Sequence, residues 1–233
     1  MLRRLVLGLA AAGLLLAAGA PGKAAAPAID PGNFSARVDN PWYPLRPGTT
    51  YVYRGMRDGQ PSVDRLTVTG QVARIAGASC VVVHDALYGS GRLAERTTDW
   101  YTQDRQGNVW YFGEATAELD RKGHVTSRAG SWRAGVDGAV PGIYMPAHPR
   151  AGQSARQEFY KGQAEDHFRV LSLGAWIAVP FVSSHHALLT EEWTPLEPAV
   201  LDHKVYVRGT GTVKEEAVKG PQELAVLVSV SRR

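Results

Sequence analysis

The chain has 233 residues, with 26 Lys plus Arg against 22 Asp plus Glu, one cysteine, 25 glycines and 14 prolines. A single cysteine, Cys80, excludes an intrachain disulfide framework and any multi-cysteine zinc or iron–sulfur site, so stability must come from an ordinary hydrophobic core. The 44% hydrophobic and 21% charged fractions are those of a globular protein, and the length fits one domain.

The segment Met1-Leu-Arg-Arg4 is positive, Leu5 to Ala20 is apolar and uncharged, and Ala18-Gly19-Ala20 places small residues before Pro21. A basic start, a short apolar stretch and an A-x-A site read as a secretory signal peptide, with residues 1–26 as leader and cleavage region. The expected location is therefore extracytoplasmic, periplasmic or secreted. The apolar run is shorter than the roughly 20 residues that cross a bilayer, and no later segment is long enough, so no transmembrane span is expected in the mature protein. Arg3, Arg4 and Lys23 leave with the leader, which lowers the net charge from +4 to about +1. A nucleic-acid partner loses its electrostatic basis. Residues 27–40 follow as an N-terminal arm, and residues 41–233 read as a single β domain.

From Asn40 onward, short alternating segments are separated by Gly or Pro turns, and no amphipathic helical stripe interrupts them. Leu45-Arg-Pro-Gly48 turns into Thr49–Arg54, and Arg57-Asp-Gly-Gln60 turns into the alternating strand Val63–Thr69. Cys80–Ala86 is a more continuous apolar run, as in a strand buried on both faces, with Cys80 a small core residue. Thr97–Asp104 and Val109–Gly113 form two aromatic strands around a Gly-containing loop, a hairpin pattern. Pro141–Pro149 holds three prolines in nine residues and reads as a bend or an edge-covering loop. Further strands are expected over 154–160, 164–173, 185–194, 200–208, 212–218 and 224–230. In the last, Leu224, Val226, Val228 and Val230 share one face, which is taken as core. The expected fold is all-β: a single curved antiparallel sheet of about ten or more strands, forming a half-barrel or closed barrel because edges must be closed or protected.

Familiar catalytic patterns are absent: there is no H-E-x-x-H, no phosphate-binding glycine loop and no calcium loop, and Tyr88-Gly-Ser-Gly91 lacks the spacing of a nucleophile elbow. His84-Asp85, Asp202-His203 and His185-His186 are sequence neighbours whose side chains split across the two faces of a strand. Two constellations stand out. Trp100, Trp110, Phe112, Trp132 and Trp193 are candidates to line a cavity for an apolar ligand. Glu158, Glu165, Asp166, Glu191 and Glu192 are candidates to converge on a hard, calcium-like divalent cation, which needs several oxygen ligands from separate elements.

Three segments carry a resemblance: Asn40-Pro-Trp-Tyr-Pro-Leu-Arg-Pro-Gly-Thr-Thr-Tyr51, Thr98-Asp-Trp-Tyr-Thr-Gln-Asp104 with Gly107-Asn-Val-Trp-Tyr-Phe-Gly-Glu114, and Glu191-Glu-Trp-Thr-Pro-Leu-Glu-Pro198. They resemble a group of secreted bacterial all-β proteins of uncharacterised activity. The closing Lys204–Glu215 segment is similar to the last hairpin of LolA-like periplasmic half-barrels, with Thr212 where those carriers have an apolar residue. The resemblance implies a location and a fold class, and no activity.

The expected function is that of an exported, non-enzymatic binding protein holding an apolar or amphiphilic, lipid-like small molecule on an aromatic-lined concave face. The alternative is a divalent-cation carboxylate site, structural or sensing. A third reading is a hydrolase with a noncanonical acid pair. No cofactor other than such a metal ion is expected, and oligomeric state leaves no signal in the sequence.

Overall fold

The computed structural model describes residues 29–233, so the leader and the start of the arm lie outside the described residues. After a short 3-10 turn at Pro31–Asn33, the described chain is built of strands. The first six are β1 (Phe34–Ser35), β2 (Thr49–Arg57), β3 (Gln60–Ile75), β4 (Ala78–Gly89), β5 (Arg92–Asp104) and β6 (Val109–Leu119). Five shorter ones follow: β7 (Val125–Ser127), β8 (Trp132–Arg133), β9 (Val140–Met145), β10 (Ser154–Arg156) and β11 (Glu158–Phe159). The long strands β12 (His167–Ala178), β13 (Ser183–Trp193), β14 (Leu201–Val207), β15 (Gly211–Lys219) and β16 (Glu223–Arg232) complete the chain. Among the described residues no helix is long and apolar enough to cross a membrane.

Antiparallel pairing between sequence neighbours joins β2 through β6 and β12 through β16, and β16 pairs with β2 along Glu223–Arg232. At the outer ends of this path, β9 adds to β6 and pairs with β11, while β10 adds to β12. Strands β10 and β11 are separated only by Gln157, so both ends of the sheet meet on one stretch of chain. The single sheet nearly closes into a barrel, which removes the exposed edges that an open sheet of this size would present.

Several expectations meet their outcome here. The Cys80–Val83 run is buried on both faces, with Cys80 and Val83 fully enclosed. Burial pushes the Cys80 thiol up to about 12, so it is an inert core group. The proline-rich segment is not simply a bend: Val140–Met145 is a strand with neighbours on both sides. It is tolerated because pairing with β6 starts at Gly142, so Pro141, which lacks an N–H, has no donor to supply there. The arm is tied to the body as well, since β1 pairs with the end of β5 and the side chain of Asn40 donates to Gly107 O and Pro146 O.

The core face of the first half of β16 is the reverse of the expectation. Glu223, Ala225 and Leu227 are buried, while Leu224 and Val226 lie half-buried on the other face; past an irregularity in the pairing between Leu227 and Ser229, Val230 lies opposite the buried Tyr51 and packs on the core as expected. Period-two alternation separates two faces without saying which one the sheet wraps around.

Candidate functional site

The register of β3 to β6 stacks the inward side chains in rows. Asp64 lies opposite Leu87, Leu87 opposite Glu95, and Glu95 opposite Glu118. The next row inward is Leu66, Asp85, Thr97 and Thr116, where the two threonine hydroxyls are 2.7 Å apart. Below it come Val83, Asp99 and Glu114, and then Val81, Tyr101 and Tyr111. Asp64, Asp85, Glu95, Asp99 and Glu114 are all buried. The Tyr111 hydroxyl donates to Asp99 Oδ1 at 2.5 Å. Burial, together with the Asp85 carboxylate beside it, holds the Asp64 carboxyl well above the ordinary range. Burial also raises Glu95, against the pull of Arg57.

The opposite wall, β13 to β15, is organised around a cation. Lys204 Nζ lies 2.7 Å from Glu192 Oε2 and 3.7 Å from Glu215 Oε1. The Tyr206 hydroxyl donates to Glu192 Oε1 at 3.1 Å, and Thr190 Oγ1 donates to the same oxygen at 3.3 Å. Burial alone would lower the Lys204 pKa, but the carboxylates of Glu192 and Glu215 raise it well above the usual lysine range. Between the walls stand Tyr43, Tyr101, Tyr111 and Tyr144, packed ring on ring with centroids 4.5 to 6.1 Å apart.

Two spaces open off this interior. A void of about 20 Å³, room for one water-sized group, is lined by Tyr43, Tyr53, Asp64, Leu66, Tyr144, Thr212, Glu215 and Ala225. Asp64, one of its lining residues, is only 6% exposed, and its Oδ1 has no hydrogen-bond partner among the described residues. The second is a cleft of about 290 Å³ at the end of the sheet where the β2–β3 and β4–β5 turns meet. Leu87, Ala94 and Leu119 give it apolar wall, and Arg57, Glu95 and Glu118 give it charge. Arg57 is shared there between Glu95 at 3.4 Å and Glu223 at 3.8 Å.

The five predicted aromatic residues do not share one cavity. Trp110 and Phe112 both pack on Phe34, and the Trp110 indole N–H donates to Asp104 Oδ2 at 2.8 Å. Trp100 sits under the Arg133 guanidinium at 4.9 Å. Trp193 stacks on His167 at 5.6 Å with Arg169 over its other side at 5.5 Å. Of the five, Trp132 alone meets the tyrosine cluster, edge-on to Tyr111 at 5.5 Å. The reason is parity: Trp110 and Phe112 flank Tyr111 in one strand, so when Tyr111 points inward they point away.

The five predicted acidic residues are dispersed too, and no group of three or more His, Cys, Asp or Glu side chains among the described residues is arranged to hold a metal ion. Glu158 is buried in the closing segment, Glu165 accepts from Gly162 N, and Asp166 accepts from Gln157 N through its backbone carbonyl. Glu191 pairs with Arg169 at 3.1 Å, while its neighbour Glu192 turns to Lys204 on the other face.

The interior residues that sequence reasoning missed are Asp64, Asp85, Glu95 and the tyrosines. Their signal was present: Asp64 has the same parity as Leu66 and Val68, an acid on the face of a strand that is otherwise apolar.

A scan against protein-family models finds no match, and neither does a search of curated proteins. Two solved structures are similar to this chain. One is a protein from Bacteroides fragilis, described as exported and with a YmcC-like fold, with a TM-score of 0.48 and 15% identity, covering 82% of this chain and 99% of that one. The other is described as a lipoprotein from Parabacteroides distasonis, with a TM-score of 0.44 and 12% identity, covering 83% of this chain and all of that one.

Proposed function

We propose that the protein is an exported, non-enzymatic binding protein that holds an amphiphilic small molecule at the mouth of its barrel. The observation that carries this reading is the cleft of about 290 Å³ in which Leu87, Ala94 and Leu119 face Arg57, Glu95 and Glu118. Ligand sites are typically concave and partly apolar, with a few polar groups that fix orientation. The leader-like N-terminus supports export. The apolar part of the ligand reading is kept from the sequence, but it moves from the tryptophans to the mouth.

The test is native mass spectrometry of protein from its own host, paired with titration of the neutral probe Nile red. Retained mass in the small-molecule range and saturable fluorescence are expected, and Leu119→Arg should weaken probe binding by tenfold or more. Protein that carries no added mass and takes up no probe removes the reading.

A second reading rests on one observation, the neighbouring carboxyl groups of Asp64 and Asp85, with Asp64 pushed above the ordinary carboxyl range and Asp85 held below it. A protonated and an ionised carboxyl side by side can act as general acid and base. Hydrolysis of ester, glycoside or peptide substrates that Asp64→Asn abolishes would establish it; a blank screen disposes of it.

A further inference from the structure

The end of the barrel away from the mouth carries an apolar hairpin, made by the end of β12, the turn that follows it and the start of β13. Residues 170–184, which build it, include no charged side chain. Its inner side packs on the core through Ile177, Val179 and Val182. Its outer side is open: Trp176 is 65% exposed and Phe181 42%, and Leu171 and Leu173 are exposed beside them. Phe181 N donates to Leu227 O at 3.3 Å, so the tip reaches past β14 and β15 to β16 and is held there. Apolar side chains of this size, grouped and exposed, mark an interaction surface.

The charge around the hairpin is of one sign. Arg208 lies in the β14–β15 turn, just past Tyr206, which is the partner of Leu188 in β13. Arg232 and Arg233 end the strand that holds the tip, and Arg233 N donates to Gly48 O at 3.1 Å, next to Arg46 at the start of β2. All four arginines are exposed, and none makes an ion pair among the described residues. Arg208 lies over the Trp42 ring at 5.3 Å, which leaves its charge uncompensated. The stretches 170–190, 203–214, 224–233 and 40–57 form this part of the molecule and contain no Asp or Glu. The field here is positive although the chain without its leader is almost neutral.

We propose that this end of the barrel docks on an anionic phospholipid bilayer, with Trp176 and Phe181 entering the headgroup layer and Arg46, Arg208, Arg232 and Arg233 resting on lipid phosphates. Indole and phenyl side chains favour the boundary between headgroups and acyl chains, and an uncharged hairpin can enter it without desolvating an ion. An arginine near an anionic surface contributes roughly fivefold in affinity, so four supply on the order of several hundredfold before screening. A second copy of the chain is a poorer occupant, because a two-fold contact would set these arginines against their own kind. The mouth, at the opposite end of β2 and β16, stays open to water when the hairpin is on the bilayer.

The test is co-sedimentation of the exported chain, purified without its leader, with vesicles of phosphatidylcholine alone and of an equimolar mixture with phosphatidylglycerol. Binding to the mixed vesicles is expected to be roughly tenfold tighter or more, to weaken with added salt, and to be accompanied by quenching of tryptophan fluorescence by brominated acyl chains. Trp176→Ser should lower the affinity for mixed vesicles by roughly tenfold and remove most of the quenching. Arg232→Gln combined with Arg233→Gln should lower that affinity by roughly tenfold as well, while leaving binding to neutral vesicles unchanged. These side chains are exposed, and circular dichroism verifies the fold of each variant. Absence of vesicle binding, equal binding to the two compositions, or binding that Trp176→Ser retains in full overturns the proposal. A concentration-dependent dimer that Trp176→Ser breaks, with no vesicle binding, overturns it too and assigns the face to a second copy.

Discussion

The two walls of the barrel bury carboxyl groups by different means. On the β13–β15 side, Glu192 and Glu215 are held against Lys204, and Tyr206 and Thr190 complete the coordination of Glu192. On the β3–β6 side, five buried acids lie in successive rows, and among the described residues no lysine or arginine occupies an inward position of those four strands. A buried charge must be paired, solvated or neutralised. The first wall is neutralised by a residue of its own. On the second, burial and the neighbouring Asp85 carboxylate push the Asp64 carboxyl upward, and Arg57, from the adjacent β2, pairs with Glu95.

The largest effect that would sharpen this contrast is at Lys204. Lys204→Ala leaves Glu192 buried without its cation and is expected to cost about 3–5 kcal/mol in urea unfolding. Lys204→Met combined with Glu192→Leu removes both charges and should cost much less. Equal losses in the two variants would mean that packing, and not charge pairing, holds this wall together.

A pH series probes the other wall. The folded chain binds the Asp64 proton more tightly than the unfolded chain does, so its stabilising effect is complete below about pH 4 and is lost as pH rises through the raised folded value. Glu95 and Glu215 are raised as well and act in the same direction. Unfolding midpoints measured from pH 4 to pH 9 should decline less steeply for Asp64→Asn than for the parent chain. Parallel curves would show that Asp64 titrates as an ordinary carboxyl group.

The smallest effect belongs to Trp193, at the end of β13 on the face opposite that of Glu192. Trp193→Ala removes a half-exposed stack with His167 and Arg169, for an expected loss of no more than about 1 kcal/mol. Nile red affinity should stay within twofold. A larger change in affinity would return Trp193 to the binding surface.

Much of the fold was legible from local chemistry. Alternation and Gly turns mark the long strands, and the expected hairpin of Thr97–Asp104 with Val109–Gly113 is the core of the β5–β6 pair. What alternation leaves open is which face turns inward, and the site depends on that. Leu224 and Val226 lie outside while Val230, of the same period, returns to the core past a break in the register, and at Val109–Gly113 the tryptophan and phenylalanine turn away from the tyrosine cluster. Of the aromatics singled out, Trp110 and Phe112 pack on Phe34, and Trp100 packs under Arg133. The acids of β3 to β5 are single residues in separate strands, brought into rows only by a register that no local pattern encodes. Closure was equally hidden, because Ser154–Phe159 reads as one strand but serves two neighbours.

That shared stretch makes the barrel uneven in mechanical strength. Strands β3 and β4 are zipped by eleven register pairs, whereas the closing segment is held by three on one side and two on the other. Deuterium should therefore enter the backbone amides of 154–159 well before those of the β3–β4 staves, and the cask should first come apart along this seam.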